Sequence, residues 1–225
     1  MTHVVALVPA AGMGVRLGEN MPKAFVELAG RTLLEWALDG LTASGALSRV
    51  VVVVPDVLRD RASEVVRSCA LPVDIVVGGA ERTDSVRAGL TVADDADIVL
   101  VHDAARCLTP PSLTTRVVEA VSGGSLAVVP ALPVVDTMKA VDGHGVVTGT
   151  VDRETLRSVQ TPQGFDGATL REAYRMFPEA ATDDAGLVER LGVEVHTVLG
   201  DAEAFKITTP MDLILAQALL ARRPK

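Results

Sequence analysis

Short aliphatic runs alternate along this chain with segments whose apolar positions recur every three or four residues. Residues 4–8 predict a first strand, and residues 32–43 a helix opened by Thr32 and Glu35 at the spacing of a capping box. Five consecutive valines, 50–54, predict a second strand that Pro55 stops. A helix over about 58–68, a strand over 73–77, and a helix capped by Thr83 or Asp84 and running to about Ala93 follow. Residues 98–101 and 126–129 complete five candidate core strands.

Strands that alternate with helices imply right-handed crossovers and a mostly parallel sheet covered on both faces, an α/β fold. Ligands on such sheets lie beyond the carboxyl ends of the strands. Polar residues gather there in three loops, 9–16, 78–85 and 102–106. The alternation breaks after Pro130. Residues 132–151 read as two short strands around Asp142-Gly143-His144-Gly145, a strong turn signal. Such a ribbon has little core of its own and must pack on this chain or on a second copy. Helices over about 168–176 and 183–191, a strand over 193–198 and a last helix over about 210–221 complete the pattern, with no internal repeat.

Composition narrows the picture. The 225 residues are enough for one substantial core, so a single domain with one excursion is expected. Hydrophobic residues make up 48% of the chain but aromatic residues only 3%, which means a core of Val, Leu, Ile and Ala, as in buried parallel strands. A net charge of −8 argues against a duplex nucleic-acid binder, so any anion must be captured locally. Cys69 and Cys107 have neither metal nor redox spacing and read as two reduced thiols. The N-terminus lacks a basic region before its apolar run, and no run reaches the ~18 residues that span a bilayer. These features lead us to expect a cytoplasmic protein without membrane attachment.

The segment from Pro9 to Phe25, PAAGMGVRLGENMPKAF, carries the strongest chemical signal. Gly12, Gly14 and Gly18 let main-chain N–H groups converge on phosphate oxygens, and Arg16 and Lys23 supply full positive charge. A Gly-x-Gly after a strand is also an ordinary tight turn. The segment has neither the Gly-Lys-Ser/Thr of a P-loop nor the third glycine of a dinucleotide fingerprint. Asp103, directly after the fourth strand in VHDAARC, is well placed to hold Mg²⁺ or another hard divalent cation; the alternative is an aspartate that caps the following turn. Arg106 can pair with Asp103 or bind a second phosphate. Lys206 precedes the final helix and Arg153 ends the ribbon; each alone also reads as a solvated charge. His3, His102, His144 and His196 show no metal-ligand spacing, and Ser85 and Thr161 have no paired histidine in sequence, so none is assigned nucleophilic or metal chemistry. Asp183-Asp184 reads as a charged helix N-terminus. A site of Arg16, Lys23, Asp103 and Lys206 favours nucleotidyl transfer onto a phosphate, where the protein positions reactants and neutralises charge.

Seven ordered blocks, PAAGMGVRLGENMPKAF, GGAERTDSV, VHDAAR, LPVVDTMK, TVDRETL, QTPQGF and FKITTPMDL, together resemble the 2-C-methyl-D-erythritol 4-phosphate cytidylyltransferase family across essentially the whole length. The resemblance implies a Rossmann-like nucleotidyltransferase sheet flanked by helices, with a protruding β-hairpin arm at about 132–155. It implies CTP binding by Ala10, Ala11, Gly12 and Gly14, with Arg16 and Lys23 on the triphosphate, Gly79 and Ser85 at the cytosine, and Ala104 also in the nucleotide site. It further implies that Asp103 lies beside substrate and metal, with Arg106 after it. Thr137 and Arg153 then reach the sugar-alcohol phosphate of a neighbouring subunit through a dimerising arm, and Thr161 and Lys206 make further phosphate and substrate contacts. Arg16, Lys23, Lys206 and Arg153 are the implied catalytic set. Val15, Ala24-Phe25 and Cys107 depart from the family pattern without touching Arg16, Lys23 or Asp103.

Rival readings share parts of this site. A ribitol 5-phosphate cytidylyltransferase shares the nucleotide half, but PxxDTMK at 133–139 and TVDR at 150–153 favour the erythritol acceptor. GGAERTDSV and TPQGF count against a guanylyl or sugar-nucleotide transferase. A non-catalytic nucleotide-sensing module would not need Arg16, Lys23, Asp103 and Lys206 together. A dinucleotide oxidoreductase would need an acid after the second strand, where Val54-Pro55 stands.

Overall fold

A computed structural model describes residues 2–12, 17, 21–79, 81–178 and 183–222. The first half of the chain holds the strands β1 (Val4–Pro9), β2 (Glu27–Leu28), β3 (Arg31–Thr32), β4 (Arg49–Val54), β5 (Val73–Val77) and β6 (Ile98–Val101). The second half adds β7 (Ala127–Pro133), β8 (Met138–Val141), β9 (Val147–Val151), β10 (Arg157–Val159), β11 (Gln163–Asp166) and β12 (Val195–Leu199). The helices are α1 (Leu33–Thr42), α2 (Arg59–Val65), α3 (Arg82–Val92), α4 (Pro111–Ser122), α5 (Gly167–Met176), α6 (Asp184–Arg190) and α7 (Pro210–Arg222).

The main sheet runs in the order β10-β7-β11-β6-β1-β4-β5, with β12 also paired to β7. β1 pairs in parallel with β4 and β6, β4 with β5, and β12 with β7. β11 is antiparallel to both β6 and β7, and β10 is antiparallel to β7. Side chains alternate between faces along each strand, and the burial pattern follows. Val4, Ala6, Val8, Val50, Val52 and Val54 pack on one face against Leu34, Leu38, Ala62, Val117 and Val121 of α1, α2 and α4. Val5, Leu7, Val51 and Val53 pack on the other against Val86, Leu90, Leu170, Leu187 and Val188 of α3, α5 and α6. All five valines of β4 are fully buried, and each contributes about 1.5–3 kcal/mol relative to exposure.

Several elements match the sequence pattern closely. Thr32 caps α1 with the expected capping box: its hydroxyl accepts from Glu35 N, and Glu35 accepts from Thr32 N at 2.7 Å. The cap of α3 is different from the one expected. Glu81, rather than Thr83 or Asp84, stands at the N-cap, and Asp84 answers as the third helical residue of a capping box. A glutamate reaches where threonine was read because Thr83 is turned into the core and buried. The helix expected over 58–68 is α only at Arg59–Val65, with 3-10 turns at Asp56–Leu58 and Val66–Ser68. The expected fifth strand extends through Pro133, and α4, β10 and β11 were not anticipated.

β1 leads rightward to β4 and β5, whereas β6 lies on its other side, so the chain reverses direction across the sheet between β1 and β6. That reversal opens a crevice beyond their carboxyl ends. β8 and β9 form a separate two-stranded ribbon around a turn in which Asp142 Oδ1 accepts from His144 N and Val146 N. Its residues are exposed, including Val141, Val146 and Val147. Among the described residues no helix is long and apolar enough to cross a membrane.

Candidate active site

A cleft of about 320 Å³ occupies the crevice, lined by residues of the loops after β1 and β6, the first turn of α3, Lys23 and Lys206. Ala10 N donates to Val53 O at 2.7 Å, which carries the ladder one residue beyond β1 and aims 10–12 into the cleft. Lys23 N donates to Gly12 O at 2.8 Å and brings Lys23 onto the glycine loop. Lys206 arrives from far along the chain because Ile207 N donates to Ala105 O at 2.8 Å. On the third side, Gly78 and Gly79 let α3 begin close under the loop. A Cβ on Gly79 would lie 2.3 Å from Asp84 Cβ, and one on Gly78 would lie 2.6 Å from Ser85 Oγ.

Asp103 sits at the centre, with only 14% of its side chain exposed. Its Oδ2 holds Lys206 Nζ at 2.8 Å and its Oδ1 faces Arg82 Nε at 3.5 Å. Burial would raise its carboxyl, but the charges of Arg82, Lys206 and Arg106 outweigh that and hold it well below the usual carboxylate range. Among the described residues the cleft therefore gathers Lys23, Arg82 and Lys206 around Asp103 and Glu81, a local cationic excess on an acidic protein.

The structure brings together Ala10, Ala11, Gly12, Lys23, Ser85, Asp103, Ala104 and Lys206. Gly14, Gly18 and Arg16 lie outside the described residues. Gly79 is exposed in the loop that feeds α3. Arg106 and Thr161 support the cleft floor without lining it. Arg106 donates to Ala204 O at 2.7 Å and Val159 O at 3.2 Å, tying the loop after β6 to the end of β10 and to the 3-10 turn Ala202–Ala204. The buried Thr161 hydroxyl accepts from Asp103 N at 3.0 Å and lies 3.1 Å from His102 Nδ1. Thr137 is exposed just before the ribbon, and Arg153 just after it donates to Val135 O at 2.5 Å.

Sequence reasoning missed Arg82, Glu81 and Asp184. Asp183 does cap α6, accepting from Gly186 N at 3.1 Å, but Asp184 is fully buried and pairs with Arg82 at 2.6 Å. The local sequence carries no sign of that partnership. An arginine inside GGAERTDSV, opening a helix beside a phosphate loop, was the available clue.

Comparison with known proteins agrees with this geometry. The sequence model of the IspD family, 2-C-methyl-D-erythritol 4-phosphate cytidylyltransferase, matches residues 4–222. A protein of that name from Rhodococcus jostii (strain RHA1) is 62% identical over 217 residues, covering 96% of this chain and 95% of the relative. One from Rhodococcus opacus (strain B4) is 63% identical over 219 residues, with the same coverage. The crystal structure of 2-C-methyl-D-erythritol 4-phosphate cytidylyltransferase from Thermus thermophilus superposes with a TM-score of 0.79 at 42% identity, covering 98% of this chain and 100% of that one. The 4-diphosphocytidyl-2C-methyl-D-erythritol synthase of Anaerococcus prevotii reaches a TM-score of 0.86 at 28% identity, covering 98% and 99%. With its fold, its cationic cleft and a match along nearly its whole length, the chain belongs to the 2-C-methyl-D-erythritol 4-phosphate cytidylyltransferase family.

Proposed function

We propose that this cleft transfers the cytidylyl group of CTP to 2-C-methyl-D-erythritol 4-phosphate, by in-line attack of the acceptor phosphate on the α-phosphorus with release of pyrophosphate. The observation that carries this reading is the convergence of Lys23 and Lys206 on one cleft at the carboxyl edge of β1 and β6. The attacking phosphate is already an anion, so the step needs no general base. It needs positive charge where two anions meet. Lys23 stabilises charge at the α-phosphorus with Arg16, while Lys206, and Arg153 from the arm of a second copy, place the acceptor. The loop 10–12, with Gly14 beyond it, cradles the triphosphate; Ala104, Gly79 and Ser85 hold the nucleoside. Asp103, Arg106 and Thr161, with Thr137 from the second copy's arm, complete the acceptor side, Arg106 and Thr161 by fixing the floor beneath it.

Among the described residues no three His, Cys, Asp or Glu side chains gather as a metal site. Two carboxylates line the cleft, Glu81 and Asp103, and Asp103 is the one read as holding the cation; so few protein ligands suit a cation held mainly by substrate phosphates, the usual manner of Mg²⁺. Mg²⁺, when bound, offsets the charge of the triphosphate. The chain is read as one nucleotidyltransferase domain whose arm, about 132–155, packs on a second copy to form a homodimer. Exposed Val135, Met138, Val141, Val146 and Val147 on a ribbon with no core of its own support that reading. A cytoplasmic location accords with Cys69 and Cys107 forming no disulfide.

The test is pyrophosphate release with CTP and Mg²⁺, comparing methylerythritol 4-phosphate with ribitol 5-phosphate and replacing CTP by GTP, ATP and UTP. Release with CTP and the erythritol acceptor is expected. Release only with ribitol phosphate would overturn the acceptor assignment, and release with no pair would leave a binding module.

A further inference from the structure

Arg82, the first residue of α3, stands between two carboxylates. Its Nη2 donates to Asp184 Oδ2 at 2.6 Å and its Nε faces Asp103 Oδ1 at 3.5 Å. Asp184 is fully buried, and its other oxygen accepts from Tyr174 Oη at 2.5 Å. Asp103 in turn holds Lys206. Tyr174, Asp184, Arg82, Asp103 and Lys206 thus form an unbroken row from the packed face under α5 and α6 to the cleft. Each carboxylate in it lies between two donors.

Two physical considerations point past a brace for the fold. Burying charged pairs is expensive, and well-packed apolar residues commonly stabilise a core as well or better. A row of four charges, three of them lining the cleft, is therefore weakly explained by stability alone. Lys206, for its part, carries a point charge on a flexible stem, 43% exposed, and such a group delivers an oriented charge only when something holds it. Asp103 holds it, yet an unbalanced carboxylate there would repel the incoming phosphates. Arg82 balances that charge at the carboxylate's other oxygen.

We propose that Arg82 is a positioning residue for cytidylyl transfer: locked by Asp184 and Tyr174, it fixes Asp103, and through Asp103 the ammonium of Lys206 that meets the acceptor phosphate. The proposal rests on the reading of Lys206 given above. It adds the far end of the row, where Tyr174 influences turnover without touching the cleft.

The experiment uses the full chain with CTP, Mg²⁺ and methylerythritol 4-phosphate, recording kcat, acceptor KM, CTP Kd by calorimetry and melting temperature. The variants are Arg82→Gln, Arg82→Lys, Tyr174→Phe, the Arg82→Gln/Tyr174→Phe pair and Lys206→Gln. Arg82→Gln is expected to lower kcat about a hundredfold, with CTP Kd changed less than about threefold. Arg82→Lys should recover about tenfold of that loss. Tyr174→Phe, the mild variant that keeps the ion pairs, should lower kcat about fivefold alone and not at all in the Arg82→Gln background, since parts of one unit do not add. A lower melting temperature with kcat per folded molecule unchanged in both Arg82→Gln and Tyr174→Phe would make the row a brace only and overturn the proposal. Additive losses would overturn it too. If Lys206→Gln turns over normally, the reading of Lys206 fails and this proposal with it; if only Lys206→Gln is impaired, that reading stands and the row does not.

Discussion

Lys206 Nζ lies 2.8 Å from Asp103 Oδ2, an ion pair that joins the segment before the last helix to the loop after a central strand. The pair and Lys23 line the same cleft.

Removing either cation should therefore slow the chemistry more than it weakens CTP binding. Lys23→Ala and Lys206→Gln are each expected to lower kcat by about 10²–10³, or about 2.7–4 kcal/mol of barrier. Steady-state kinetics with a calorimetric CTP Kd checks the split; turnover near that of the parent enzyme would remove the residue from the mechanism.

The arm makes a second prediction. Val141→Asp with Val147→Asp places two charges on exposed apolar positions of the ribbon. If the arm packs on a second copy, sedimentation velocity should show the dimer converted to monomer at micromolar concentration. Acceptor KM should rise in parallel, because Arg153 and Thr137 stand at the base of the same ribbon. An unchanged sedimentation coefficient argues against the arm as the contact.

The loop before α3 is set by contact distance. Gly79→Ala would press a methyl group against Asp84 Cβ, 2.3 Å away, and the first helical turn must move. CTP KM should rise about tenfold as the nucleoside contacts shift, and denaturant titration should show a loss of about 1–3 kcal/mol.

His102 gives the fold an acid dependence. It is buried, and burial lowers its pKa from 6.5 to about 4, with Asp103 opposing that shift and Arg106 adding to it. Between those values the unfolded chain binds a proton that the folded chain does not, so stability falls as pH drops from about 6.5 towards about 4. Below that range the folded form also protonates and this contribution no longer changes. His102→Gln should flatten the dependence between about pH 6.5 and about pH 4.5 in urea denaturation curves; an unaltered slope would assign it to other groups.

Much of this architecture was legible because it is local. The valine run of β4, the capping box of α1 and the Asp142-Gly143 turn each declare themselves within a few residues. The three loops of the site were placed on one edge by the βαβ rule alone. What escaped was short or long-range. β11 is four residues, QGFD, and its Gly164 is there because Val117 Cγ1 would stand 2.4 Å from a Cβ, so no β-branched signature marks it. α4 is the exception, neither short nor long-range: Leu113, Val117, Val118 and Val121 stand at helical spacing after Pro110-Pro111. The pairing of Arg82 with Asp184 joins α3 to α6 across the second half of the chain, and no local pattern encodes it.

The position of β11 also sets an order of assembly. β6 and β7 do not pair with each other; Gln163–Asp166 lies between them and is what joins them within the sheet. During synthesis, the whole ribbon must leave the ribosome before the strand that joins the two parts of the sheet exists. A nascent chain ending at the ribbon would hold β6 and β7 as two open edges. Ribosome-bound fragments with Asp166 still inside and just outside the exit tunnel would then differ in protease resistance, because the added strand joins β6 to β7 and leaves only β12 to come.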